Sequence, residues 1–215
     1  FGVVLDSLDR VGSTVDVSIA AGGAISDLLI DMKEKALAAS DETLTAAQRS
    51  AFSEDFKALR DQIDTIVGNA EFNGVNLING STAEITAFAD ADGNNNITVQ
   101  DENLSLGGGV ITIAATASLD TATNASALVS TIETSLENLN QALARLGTSS
   151  KSLDVHTEFV TSLRDSLEAG VGNLVDADMA KESAKLQALQ TKQQLGVQAL
   201  SIANQAPQII NQLFQ

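Results

Sequence analysis

The side chains able to do chemistry are few and scattered. His156 is the only histidine, and it lies at the helical phase of Leu163, beside an apolar seam. A catalytic or metal-binding histidine needs converging partners, such as a His-Glu-x-x-His face, and no such pattern accompanies it. A packing or edge position is therefore expected. The stretch "DADGNNNITVQD" sets Asp90, Asp92, Asn94 and Asp101 at positions 1, 3, 5 and 12 of a calcium loop, with Ile97 at position 8. Asn95 stands where that loop needs glycine, Asp101 where it prefers glutamate, and the flanks favour strands. Asp, Asn and Gly dominate turns anyway, so a solvated hairpin turn is the expectation. Gly107 to Gly109 lack the Gly-Lys-Ser/Thr ending of a phosphate loop and precede strand-like sequence, so they read as a flexible turn. Asp176 and Asp178 precede the last predicted helix, where carboxylates cap and suit the dipole. With no cysteine, thiolate chemistry and disulfides are excluded. No catalytic, cofactor-binding or metal-binding residue is expected, and the chain does not read as an enzyme.

Composition narrows the partners. The chain of 215 residues carries a formal net charge of -16, which disfavours nucleic acid and anionic membrane. Aromatic residues make up only 3%, with no Trp and no Tyr, which speaks against a ligand pocket. No run reads as long and apolar enough to span a membrane, and no secretory leader pattern is found. The chain opens without Met and already in helical pattern, so an upstream segment is expected. No Lys or Arg lies between Arg60 and Arg145, and no charge at all follows from Gln193 to Gln215.

The elements follow from spacing. Val4, Leu8, Val11 and Val15, then Ile25, Leu29, Met32 and Ala36, recur at helical intervals, with a local weakness at Gly22-Gly23. "SDETLTAAQR" predicts a turn with Thr45 as N-cap, and Phe52, Phe56, Leu59, Ile63 and Ile66 form the seam of a second helix. Two Asn-Gly pairs follow, then "AEITAFA", "NITVQ" and "GGGVITIAA", read as a small β-hairpin unit of up to three strands. Ile132, Leu139, Leu146, Leu153, Val160, Leu167 and Leu174 recur every seven residues, with Leu136, Leu143 and Leu163 as a second stripe. A helix from Ile132 to Leu174 would extend roughly 65 Å. "EAGVGNLVDAD" suggests a hinge before a final helix from about Ala180.

The expected architecture is mainly α: an elongated antiparallel helical bundle or coiled-coil rod with a small β-hairpin region and a carboxy-terminal core helix. Residues 1–173 form the rod domain, with helices over about 1–40, 46–68 and 124–172 and the hairpin insertion over about 80–117. Residues 174–215 form the terminal helix. On that helix Leu195, Ala199, Ile202, Ala206, Ile209 and Leu213 make one apolar stripe, and Leu200, Ala203, Pro207, Ile210 and Phe214 a second beside it. Two adjacent stripes exceed what one neighbour needs. The amide-rich flank, Gln194, Gln198, Gln205, Gln208 and Gln212, avoids the desolvation cost of full charges. An intermolecular partner is inferred, with folding back onto the rod as the alternative. Pro207 is expected to loosen the turn near Ala203.

Three stretches carry a family resemblance: "STVDVSIAAGGAISDLLIDMKEKALAAS", "EFNGVNLING" and "VDADMAKESAKLQALQTKQQLGVQALSIANQAPQIINQLFQ". The chain resembles bacterial flagellins, of the small type found in α-proteobacteria, beginning within the rod and lacking the N-terminal core helix. The resemblance implies a structural subunit of the flagellar filament, secreted and extracellular, without cofactors. It implies as partners other flagellin subunits, an export chaperone at the carboxy-terminal helix, and filament cap and junction proteins, with neither nucleic acid nor membrane. The implied subunit or chaperone interface comprises Leu195, Ala199, Leu200, Ile202, Ala206, Pro207, Ile209, Ile210, Leu213 and Phe214. The resemblance also marks Leu29, Asp31, Met32, Lys33 and Glu34 as the rod segment read by a Toll-like receptor in some flagellins, with Asp31 where that patch would carry arginine. A monomeric secreted partner-binding protein or adhesin is the alternative function.

Overall fold

The computed structural model describes the backbone of residues 1–213, and their side chains except at 176–178 and 204–213. Three helices are described: α1 (Gly2–Ala39), α2 (Ala46–Asn69) and α3 (Ala122–Leu213). Strands β1 (Glu84–Phe88) and β2 (Asn96–Gln100) pair antiparallel between α2 and α3 in sequence, with Glu84 opposite Gln100 and Phe88 opposite Asn96. The chain divides into two compact units, Phe1–Thr161 and Ser162–Gln215.

Local sequence sets the helix ends. Thr45 caps α2 through a reciprocal pair: its hydroxyl accepts from Gln48 N at 3.3 Å, and Gln48 Oε1 accepts from Thr45 N at 2.9 Å. Arg49 Nε donates to Ala39 O at 3.0 Å, satisfying a carbonyl at the end of α1. Thr121 Oγ1 accepts from Asn124 N and starts α3 two residues earlier than expected. Asn73 (φ 51°) and Gly74 (φ 77°) form the tight turn between Phe72 and Val75. Asn76, buried, then donates to Val67 O at 2.7 Å near the end of α2 and accepts from Ile78 N at 2.9 Å.

Two apolar clusters make the core of the first unit. In one, Ile25, Leu29, Met32 and Ala36 of α1 meet Phe56 and Ile63 of α2 and Ile132 and Leu139 of α3. In the other, Val4, Leu8, Val11 and Val15 meet Ala87 and Val99 of the hairpin and Leu146, Leu153 and Val160 of α3. The predicted seams of α1 are buried throughout. By length and composition α1 is also apolar enough to cross a membrane, contrary to the sequence reading. The core accounts for Val15, Ile25, Leu29 and Met32 of this helix, whereas Val3, Ile30 and Leu37 are exposed and the apolar window is 33% buried.

Two further expectations are corrected. "GGGVITIAA" is not a third strand. Val110, Ile111 and Ile113 are buried in the first cluster. Helix side chains hold the backbone of this region instead: Thr112 N donates to Ser135 Oγ (3.1 Å), Leu119 N to Ser53 Oγ (3.1 Å), Asn138 Nδ2 to Val110 O (3.3 Å) and Arg60 Nη1 to Ala117 O (2.8 Å). Nor does the glycine-containing segment near Gly170 and Gly172 break the helix, because α3 is continuous from Ala122 to Leu213. Each glycine costs about 1 kcal/mol in a helix interior, which cooperative propagation absorbs.

Candidate subunit interface

The heptad seam outlasts the core. Ile132, Leu139, Leu146, Leu153 and Val160 are each at most 2% exposed, whereas Leu167 and Leu174 on the same register are 48% and 74% exposed. Described side chains from Arg164 onward are all exposed, including Val171, Val175, Met179, Leu186 and Leu189. Leu195, Leu200 and Ile202 are 61–66% exposed, and Ala199 is exposed with them. The described side chains of the inferred interface are therefore uncovered among the described residues. Ala206, Pro207, Ile209, Ile210, Leu213 and Phe214 lie outside the described side chains, and so does the bend expected from Pro207. Fully burying a Leu or Ile is worth about 1.5–3 kcal/mol, so each such side chain adds appreciably to any assembly that covers it.

The scattered chemical candidates have structural roles. His156 is half-buried; its Nε2 lies 2.7 Å from Ala89 O, and its ring centroid is 5.8 Å from that of Phe159. It ties α3 to the end of β1. Asp90 closes the hairpin turn: Oδ1 accepts from Asn94 N (2.9 Å), and Oδ2 accepts from Asn95 N (3.2 Å) and Asn95 Nδ2 (2.6 Å). Desolvation is the largest single influence and raises the Asp90 carboxyl, but the donors from Asn95, Asn94 and Gly93 together outweigh it and hold it below its ordinary value. Asp101 sits at the opposite end of the hairpin, where its N donates to Ala83 O at 3.0 Å. A five-residue strand spans roughly 16 Å, so Asp90 and Asp101 cannot share one ion as the calcium-loop spacing would require.

The hairpin root carries the group that sequence spacing did not reveal. Glu102, 7% exposed, receives a bidentate fork from Arg145, Nε to Oε1 at 2.5 Å and Nη2 to Oε2 at 2.7 Å. The hydrogen bond to Glu102 raises the Arg145 pKa further. Beside it, Asp101 Oδ1 is enclosed without a hydrogen-bonding partner among the described residues. Desolvation, with a smaller push from Glu102 and against a bond from Gly80, raises its carboxyl above the ordinary value. The stretch without cations between Arg60 and Arg145 was the available signal: those two arginines bond into the region it encloses, at Ala117 and Glu102.

Of the receptor-like segment, Leu29 and Met32 are fully buried. Asp31 and Glu34 are exposed, and half-buried Lys33 pairs with Glu133 at 2.8 Å. At most three of those five side chains reach solvent.

The fold is helical with a small two-stranded sheet and, on the described part of α3 beyond Val160, an exposed apolar helix face suited to association. Comparison with known proteins gives the family. The family described as "Bacterial flagellin N-terminal helical region" matches residues 2–83, and "Bacterial flagellin C-terminal helical region" matches residues 129–214. The chain is 55% identical over 212 residues to flagellin FljM of Caulobacter vibrioides, covering 99% of this chain and 77% of that one. It is 35% identical over 231 residues to a flagellin of Brucella melitensis, covering 99% and 78%. The crystal structure of Bacillus cereus flagellin shares the fold, with a TM-score of 0.61 at 24% identity over 70% of this chain and 86% of that one. The chain belongs to the bacterial flagellins. It is a structural subunit of the flagellar filament, an extracellular component that assembles with other flagellin subunits, and the monomeric adhesin reading is not favoured.

Proposed function

We propose that the exposed continuation of α3 is the surface through which this subunit joins the filament. The carrying observation is the seam itself: it is buried through Val160 and then exposed at Leu167 and Leu174 without a change of register. A heptad face without a neighbour among the described residues is best matched by a helix supplied from another subunit. In this reading residues 1–173 act as the rod and residues 174–215 as the filament-core segment. Leu195, Ala199, Leu200, Ile202, Ala206, Pro207, Ile209, Ile210, Leu213 and Phe214 form its coiled-coil face. Before assembly the same face is the site for an export chaperone, and the protein is secreted to the growing tip, where cap and junction proteins are its other partners. Asp31, exposed and acidic, opposes recognition by a receptor that reads a basic rod patch.

The test is polymerisation of the full-length parent protein with and without Ala203–Gln215, followed by sedimentation and electron microscopy. Filaments are expected only with the segment present. Normal filaments from the truncated protein would remove the terminal helix from the interface.

A further inference from the structure

The hydrogen-bond parity of the hairpin leaves one edge open. Ala89 N donates to Asn95 O and Asp101 N to Ala83 O, so the odd-numbered residues of both strands bond to each other. The even-numbered residues direct their backbone N–H and C=O groups outward. On β1 that edge faces α1, where Ser7 Oγ accepts from Phe88 N at 3.2 Å. On β2 the outward groups of Asn96, Thr98 and Gln100 have no partner among the described residues. Edge strands are commonly blunted by charge, proline or a bulge, and "NITVQ" has none of these.

The open edge borders a groove whose other wall is α3. One part, of about 940 Å³, lies beside Ile97, against Val155 and Phe159, which are 55% and 57% exposed. The adjoining part, of about 410 Å³, runs along Thr98 and Gln100 opposite Arg145. Lys151 lines the larger part and forms no ion pair among the described residues. Glu102 neutralises Arg145 and Glu84 reaches the rim through Gln100 Nε2, so Lys151 is the groove cation left to meet an incoming carboxylate among the described residues.

We propose that this groove is a strand-addition site for an extended acidic peptide segment of another protein. The segment pairs with the outward backbone groups of Asn96, Thr98 and Gln100 as a third strand. It places a carboxylate at Lys151 and an apolar side chain against Val155 and Phe159. The site does not depend on the filament-core segment, so its test stands apart from polymerisation.

A fluorescent, amino-terminally acetylated Asp-Thr-Val-Thr-Phe-Thr peptide, whose Asp, Val and Phe share one strand face, is titrated into the 215-residue chain by anisotropy, with hydrogen exchange read at the Thr98 amide. Saturable binding and slowed exchange are expected. Lys151→Glu, and Thr98→Pro, which removes an outward donor but no hairpin bond, each weaken binding about tenfold or more, with circular dichroism unchanged. If Thr98→Pro disturbs the hairpin, Lys151→Glu and a peptide with Lys in place of Asp carry the decision. Absence of saturable binding at millimolar peptide overturns the proposal, as does binding indifferent to Lys151→Glu. Self-association in sedimentation that Thr98→Pro abolishes would assign the edge to a second copy, and would overturn it equally.

Discussion

At the scale of single residues, the root of the hairpin is where charge matters most. Glu102 is buried and its partner Arg145 keeps more than half of its side chain in solvent. Replacing Arg145 by Met strands a carboxylate, so a loss of about 2 kcal/mol is expected in urea unfolding, and Glu102→Gln in the same chain should restore part of it. Asp101 acts in the opposite sense. Its carboxyl is raised above 3.8 in the native state, so the native chain holds a proton that the unfolded chain has released. Stability therefore falls as pH rises through the window between the unfolded and native values. Asp101→Asn should be more stable than the parent at neutral pH, with the advantage shrinking below the ordinary aspartate range, as read from urea midpoints across pH. Neither role was legible in the sequence: Glu102 depends on an arginine of α3 forty-three positions away, and Asp101 on its burial at the hairpin root.

Among elements, the helices were legible and the loop after the hairpin was not. Apolar spacing located α1, α2 and the buried part of α3 because a helix repeats its face locally. "VITIAA" has the same apolar character as a strand, but its backbone partners are hydroxyls and amides carried by distant helices, which no local pattern announces. The paired glycines of α1 illustrate a related limit. Spacing marked both as weak points, yet only Gly22 is at a close approach, where an added Cβ would stand 2.5 Å from Leu143 Cδ2. Gly23 has open space around it. Thermal or urea unfolding should show Gly23→Ala gaining about 1 kcal/mol, while Gly22→Ala gains less or loses, because the Leu143 methyl must move.

For the whole molecule, the chain divides after Thr161, and the described side chains from Arg164 onward are exposed. Leu167→Asp and Leu174→Asp should leave the unfolding midpoint of the isolated chain within about 0.5 kcal/mol of the parent, since both side chains are already exposed. In the full-length parent the same pair of changes should abolish pelletable filaments. The apolar stripes of the terminal helix were legible in the sequence, and their described large members Leu195, Leu200 and Ile202 are exposed; where burial ends was not legible, because the heptad runs past Val160 without a mark. The hairpin has a consequence of another kind. It is fastened at its root by Glu102 and Arg145 and finished at its tip by Asp90, with nothing bulky near Gly93. Its length is therefore adjustable from the tip: doubling a flexible turn costs only about 0.6 kcal/mol of closure entropy. Gly93 is accordingly a place to graft foreign sequence onto the subunit while the packed clusters and the terminal helix keep their own bonds.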